Sequence, residues 1–136
     1  MKLIIIFSCI LFSGLASCKK ETVLKNETIV GKWKLVQTYD GYGNGGSFTW
    51  TNTPENYSKQ IEFTATGQFY ESYNLGGSLQ TCTGTYQILA DSTLEKKSSC
   101  NTMIESNKIS EQSNTILILN YHAIEGVIKE KYIPVN

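Results

Sequence analysis

The chain has 136 residues with twelve acidic and twelve basic side chains, and every basic one is lysine. Zero formal charge and the lack of any arginine fork for phosphate or guanine argue against a nucleic-acid partner. The apolar fraction of 40%, eight tyrosines and only two prolines describe one globular domain rather than a disordered segment. In chain order, residues 1–17 come first and read as a signal peptide. Lys2 gives a positive start and LIIIFSCILF (3–12) an apolar core of signal length. That run is too short for an ordinary spanning helix, which needs roughly 20 apolar residues. It is apolar on every side, so it lacks the polar face that a helix of a folded domain turns to solvent.

Leu15-Ala16-Ser17-Cys18 follows, with a small residue before a cysteine and an aliphatic residue three places upstream. It resembles the lipobox of bacterial lipoproteins. The resemblance implies a diacylglycerol thioether on Cys18, cleavage just before it and acylation, with palmitate or a similar chain, of the new N-terminus. Several acyl chains, at roughly 0.8 kcal/mol per buried methylene, hold a protein on a bilayer where one chain is marginal. KKETVLKNET (19–28) is polar and without period, so residues 18–28 read as a lipidated tether reaching at most about 33 Å. Lysine rather than aspartate follows Cys18, which by the same resemblance points to the outer membrane of the cell envelope, on its periplasmic or surface face.

Residues 29–136 read as strand after strand. IVGKWKLVQTY (29–39) puts Trp33, Leu35 and Tyr39 on one parity with Lys32, Lys34 and Thr38 on the other, the alternation of a half-buried strand. KQIEFTA (59–65) places Ile61, Phe63 and Ala65 together, turns at Thr66-Gly67, and returns as QFYESYNL (68–75). Further candidates are 80–89, 92–100, 103–110, 114–121 and 126–135, of which 103–110 has the weakest pattern. Eight short strands in roughly a hundred residues predict an all-β meander closed on itself, since closure removes the edges an open sheet must protect. The one long connection, 40–58, carries Tyr42, Phe48, Trp50 and Tyr57. Long connections in compact domains are binding loops, lids or disordered insertions, and four aromatics favour a loop that packs, with SFTWT (47–51) as a short strand.

Of four cysteines, Cys9 leaves with the signal and Cys18 takes lipid, so Cys82 and Cys100 remain in an exported domain. If Ala90-Asp91-Ser92 is the hairpin loop, Leu89 faces Thr93, Ile88 faces Leu94 and Tyr86 faces Lys96. The same register brings Cys82 opposite Cys100, within the separation a disulfide accepts. Closing that loop stabilises the domain by about 3 kcal/mol in the chain-entropy account, in a purely structural role. A metal site is the competing use of the pair, but a single histidine leaves a zinc set hard to assemble. No cofactor is expected.

Gly31-Lys32-Trp33, the Phe63, Gly67, Phe69 hairpin and a last strand ending Tyr132-Ile133-Pro134-Val135 together resemble the small lipocalin-like lipoproteins of Gram-negative bacteria. The resemblance covers nearly the whole of 29–136. It implies an eight-stranded antiparallel up-and-down barrel with Gly31 and Trp33 plugging the end near the N-terminus. Two departures stand out. The arginine that lipocalins commonly set against that tryptophan is missing, leaving Lys129 or Lys131 as substitutes without planar stacking. The C-terminal helix of long lipocalins is missing too.

No catalytic set emerges. His122 is the only histidine and sits near a strand end, and the acidic residues show no paired spacing, so the chain reads as non-enzymatic. Glu71 shares its parity with Phe69 and Tyr73, and an inward carboxylate is costly unless paired or wet. It marks either a hydrated cavity and polar ligand contact, or a break in strand parity. The aromatics Trp33, Tyr39, Phe63, Phe69, Tyr73 and Tyr86 form either a ligand cup or a filled core, as eight-stranded barrels do both. The leading expectation is a membrane-anchored lipoprotein binding a small apolar or amphipathic molecule at the open end. Tyr39, Trp50, Phe63, Phe69, Glu71, Tyr73 and Tyr86 are its candidate ligand contacts. The alternative is a filled barrel acting as a protein–protein interaction module, whose loop aromatics meet a partner.

Overall fold

The computed structural model describes residues 28–43 and 45–136. The signal peptide, Cys18 and the tether up to residue 27 lie outside the described residues. Nine strands follow one another: β1 (Gly31–Tyr42), β2 (Trp50–Asn52), β3 (Tyr57–Phe63), β4 (Gln68–Leu75), β5 (Ser78–Ile88), β6 (Thr93–Ser98), β7 (Ile104–Gln112), β8 (Leu117–Ala123) and β9 (Gly126–Pro134). The described residues contain no helix. Every neighbouring pair is antiparallel, and β9 returns to pair along β1 from Trp33↔Pro134 to Tyr42↔Gly126. The chain is a closed eight-stranded up-and-down barrel of the lipocalin-like kind, with β2 as one extra strand.

The hairpins show how local chemistry sets the register. At the β3–β4 turn the Thr64 hydroxyl accepts from the Gln68 amide at 3.1 Å, and the Gly67 amide donates to the Thr64 carbonyl at 3.2 Å. At the β5–β6 turn the Leu89 amide donates to the Thr93 carbonyl at 2.8 Å, and Ser92 closes the three-residue loop at φ 64. A left-handed residue in the last position of such a loop matches the right-handed twist of its strands. The resulting pairs include Ile88↔Leu94 and Tyr86↔Lys96, the predicted register, and Cys82 and Cys100 are disulfide-bonded with Cα atoms 5.6 Å apart. In the middle of β5, Gly84 lets two elements close in. A β-carbon there would stand 2.0 Å from the Lys97 carbonyl oxygen and 2.8 Å from the Phe69 ring.

One end of the barrel is packed solid. Ile29, Trp33, Leu35, Ile61, Phe63, Phe69, Leu94, Leu117, Leu119 and Tyr132 form its buried core. Each fully buried aliphatic or aromatic side chain contributes about 1.5–3 kcal/mol of transfer free energy. Gly31 adopts φ 138, a conformation side chains disfavour, which turns the entering chain so that Trp33 points inward. The Trp33 indole donates to the Ile29 carbonyl at 2.8 Å. That backbone acceptor, rather than Lys129 or Lys131, is its polar partner: both lysines stand over other rings, Tyr39 and Trp50.

β1 is not one uninterrupted alternation. Leu35 pairs with Tyr132 and Gln37 with Lys131, so Val36 is the extra residue of a bulge. A bulge shifts side-chain parity, and beyond it Thr38 rather than Tyr39 lies opposite the inward Glu130. The expected grouping of Tyr39 with Trp33 and Leu35 is therefore overturned. On its other edge β1 is shared: β3 pairs with Gly31–Lys34 and β2 with Gln37–Tyr39. β2 and β3 do not pair with each other. The segment 103–110, weak as a sequence pattern, is the strand β7, with its own bulge between Ile109 and Glu111.

Candidate functional site

Above the apolar core the inward parity of four strands changes from hydrocarbon to charge. On β3 the order toward the other end is Phe63, Ile61, Lys59, and on β4 it is Phe69, Glu71, Tyr73. On β6 Leu94 gives way to Lys96, and on β9 Tyr132 gives way to Glu130. β7 adds Asn107 and Glu105. Because the barrel closes, these residues from distant parts of the chain meet in one layer.

The layer is a chain of alternating sign. Lys59 Nζ reaches Glu130 at 2.9 and 3.1 Å and Glu71 at 3.3 Å. Glu71 in turn lies 3.7 Å from Lys96 Nζ, which is 3.3 Å from Glu105. The Asn107 amide donates to Glu105 at 2.8 Å. Tyr121 and Tyr132 both donate their hydroxyls to Glu130 Oε2. Lys96 and Asn107 are each only 1% exposed, so their polar ends depend on these partners. The Lys59 ammonium also sits 5.5 Å above the Tyr121 ring, and Lys96 5.5 Å above the Phe69 ring, geometry in which a desolvated cation gains from the ring quadrupole.

Charge pairing decides the titration of this layer. Burial pushes the Glu130 carboxyl up, but Lys59 and the two tyrosine hydroxyls pull it further down, leaving it below the usual carboxylate range. Burial pushes Lys59 down, and the surrounding Tyr121, Glu130 and Glu71 outweigh it, holding the ammonium well above the usual lysine value. Tyr121 and Tyr132 are raised well above an ordinary phenol, first by burial and then by the neighbouring carboxylate, although Lys59 pulls Tyr121 the other way. Both therefore remain hydrogen-bond donors at neutral pH.

The layer is not sealed. The side chains of Lys59, Glu71 and Glu130 retain 11–13% exposure, and Glu105 retains 34%. They face the end opposite Trp33, where Tyr57, Tyr73 and Ile128 are half-buried along the inner wall. Tyr73 is fixed there by a 2.6 Å hydrogen bond to Gln80. Tyr42, Tyr121, His122, Ala123, Ile124, Glu125 and Ile128 line a recess of about 480 Å³ at this rim. The ion pairs of the layer join three carboxyl side chains to two lysines. Nothing in it pairs a nucleophile with a free base, and among the described residues no three His, Cys, Asp or Glu side chains converge as a metal would require.

The sequence-predicted contacts fall in three places. Glu71 and Tyr73 face the open end, and Glu71 is inward because it is paired, not because strand parity breaks. Phe63 and Phe69 are fully buried in the core. Tyr86 lies near the closed end, its ring 4.9 Å from Phe63 and its hydroxyl donating to the Thr64 carbonyl at 2.7 Å. Tyr39 and Trp50 stand on the outer wall, rings 5.6 Å apart and capped by Lys129 at 5.1 Å and Lys131 at 4.5 Å. They line no part of the interior, whereas Tyr42 and Tyr57 of the same 40–58 stretch stand at the open end. Sequence reasoning passed over Lys59, Lys96, Glu105, Asn107, Tyr121 and Glu130. The signal was present, since carrying each strand's apolar parity one step past its core residue lands on Lys59, Lys96 or Glu130. Comparison of the chain with protein-family models, with curated proteins and with solved structures finds no match.

Proposed function

We propose that the protein is a non-enzymatic, lipid-anchored lipoprotein of the cell envelope that holds a small amphipathic molecule at the open end of its barrel. The observation that carries this reading is the charged layer: five charged side chains from five strands, four of them still partly exposed to solvent, beneath half-buried Tyr57 and Tyr73. A filled barrel built only for stability has little use for such a layer, because packed hydrocarbon of the same volume is as stable or more so. The ligand's polar end meets Glu71 and Glu105, and its apolar part lies against Tyr57, Tyr73 and Ile128. Anchoring rests on the lipobox at Cys18, outside the described residues, and the Cys82–Cys100 disulfide fits an oxidising compartment.

Native mass spectrometry of the protein taken from its own membrane tests the ligand. A bound species of small mass, lost in Glu71→Gln/Glu105→Gln, is the expected result. Protein that stays empty, with variants that change nothing, would refute it. The mass of the N-terminal peptide separately reports whether Cys18 is acylated.

A further inference from the structure

The open end carries an apolar crown. Large hydrocarbon side chains stand exposed at or beside four of its connections: Phe48 before β2, Leu79 just after the β4–β5 turn, Met103 and Ile104 at the entry to β7, and Ile124 between β8 and β9. Leu79 and Met103 are about 70% exposed, at 69% and 71%, and Ile124 is exposed completely. Phe48 is held out by a backbone at φ 53, a left-handed conformation that costs energy for a bulky residue. The connections 43–49, 53–56, 76–77, 99–103 and 124–125 contain just two charged residues, Glu55 and Glu125. Hydrocarbon at separate loop tips, spread around a ring rather than fused into one patch, suits a fluid phase better than a shaped protein groove.

We infer that this crown docks the open end onto a lipid bilayer, with the loop tips seated at the boundary between headgroups and acyl chains and the mouth of the barrel facing the lipid. Low charge at the tips keeps the cost of insertion small, and buried apolar area supplies the attraction. The length of chain outside the structure permits this orientation. Thr28 lies at the closed end, and nine residues stand between it and Cys18, ten steps with a reach of about 33 Å. β1 spans the wall in twelve residues, about 28 Å of height for a strand tilted near 45°. That reach exceeds the height of the wall, so acyl chains on Cys18 come within range of the bilayer that the crown touches. The inference rests on the anchor proposed above for proximity, and it supplies the ligand's source: an amphipath taken directly from the lipid phase.

The test uses the full chain reconstituted into phosphatidylcholine vesicles containing brominated lipid, with a tryptophan reporter placed by Leu79→Trp or Ile124→Trp. Ile88→Trp, also exposed but at the closed end, is the control, and the unsubstituted chain gives the background of Trp33 and Trp50. Strong quenching and a blue shift at positions 79 and 124, with neither at 88, are expected. Leu79→Ser in the Ile124→Trp chain should lower the quenching, with the retained disulfide and near-ultraviolet dichroism checking the fold. Equal quenching at all three positions, quenching only at 88, or a protein crosslinked stoichiometrically through the crown without lipid quenching would overturn the inference. An acylated Cys18 with an unquenched crown sinks the docking alone, whereas a quenched crown on an unacylated or ligand-free chain sinks the proposed function alone.

Discussion

Glu130 is the residue on which the interior turns. It accepts from Lys59, Tyr121 and Tyr132 at once, so its removal leaves a buried ammonium with Glu71 alone and two phenols without their acceptor. Glu130→Ala should cost on the order of 3–5 kcal/mol in urea unfolding, the usual result of stripping one partner from a buried pair. Replacing both ends, as Lys59→Met/Glu130→Leu, should restore much of that loss. Comparable stability of the single variant and the parent would contradict the pairing. The pH dependence has a definite sign. The Glu130 carboxyl titrates lower in the fold than in the unfolded chain, so its contribution is present above the ordinary carboxylate value and fades as pH falls through the lowered one. Lys59 is raised, so its contribution is present below the ordinary lysine value and is lost as pH climbs through the raised one. Glu130→Ala should flatten the acid side of the stability profile.

Among elements, the β5–β6 hairpin shows what a sequence can specify. Three turn residues and the alternation on either side set a register, and that register alone placed two cysteines face to face. Reducing the Cys82–Cys100 bridge, or replacing both residues by alanine, should lower stability by about 3 kcal/mol in thermal or denaturant unfolding while leaving the barrel closed. An unchanged midpoint would show the constraint to be idle. β1 shows the opposite case. Its apolar spacing reads as a continuous strand, yet Val36 adds one residue opposite β9, and Tyr39 moves to the outer wall with Trp50. The parity shift of this bulge is hidden because the residue it brings inward, Thr38, is polar and the one it turns outward, Tyr39, is aromatic. The charged layer was half legible for a related reason. Five strands show a charge on their inward parity, but only closure brings positions 59, 71, 96, 105 and 130 together.

At the scale of the whole molecule, β9 is the keystone. It pairs with β8 on one side and β1 on the other, and supplies Tyr132 to the core and Glu130 to the charged layer. A chain ending at Ala123 should lose cooperative unfolding and near-ultraviolet dichroism and associate through the bare edges of β1 and β8. A monomeric, cooperatively folding truncation would mean that the sheet does not need closure.

The wall is discontinuous where β1 hands its edge from β3 to β2. No ladder joins those two strands, so the upper part of β3, including Tyr57, Ser58 and Lys59, borders a seam without cross-strand amide bonds to β2. β2 itself is held to the wall only by its three-residue ladder to β1, from Gln37↔Asn52 to Tyr39↔Trp50. Hydrogen exchange is therefore expected to be faster along Tyr57–Lys59 than along β9, which is laddered on both sides, and equal protection would show that the seam is closed by other contacts.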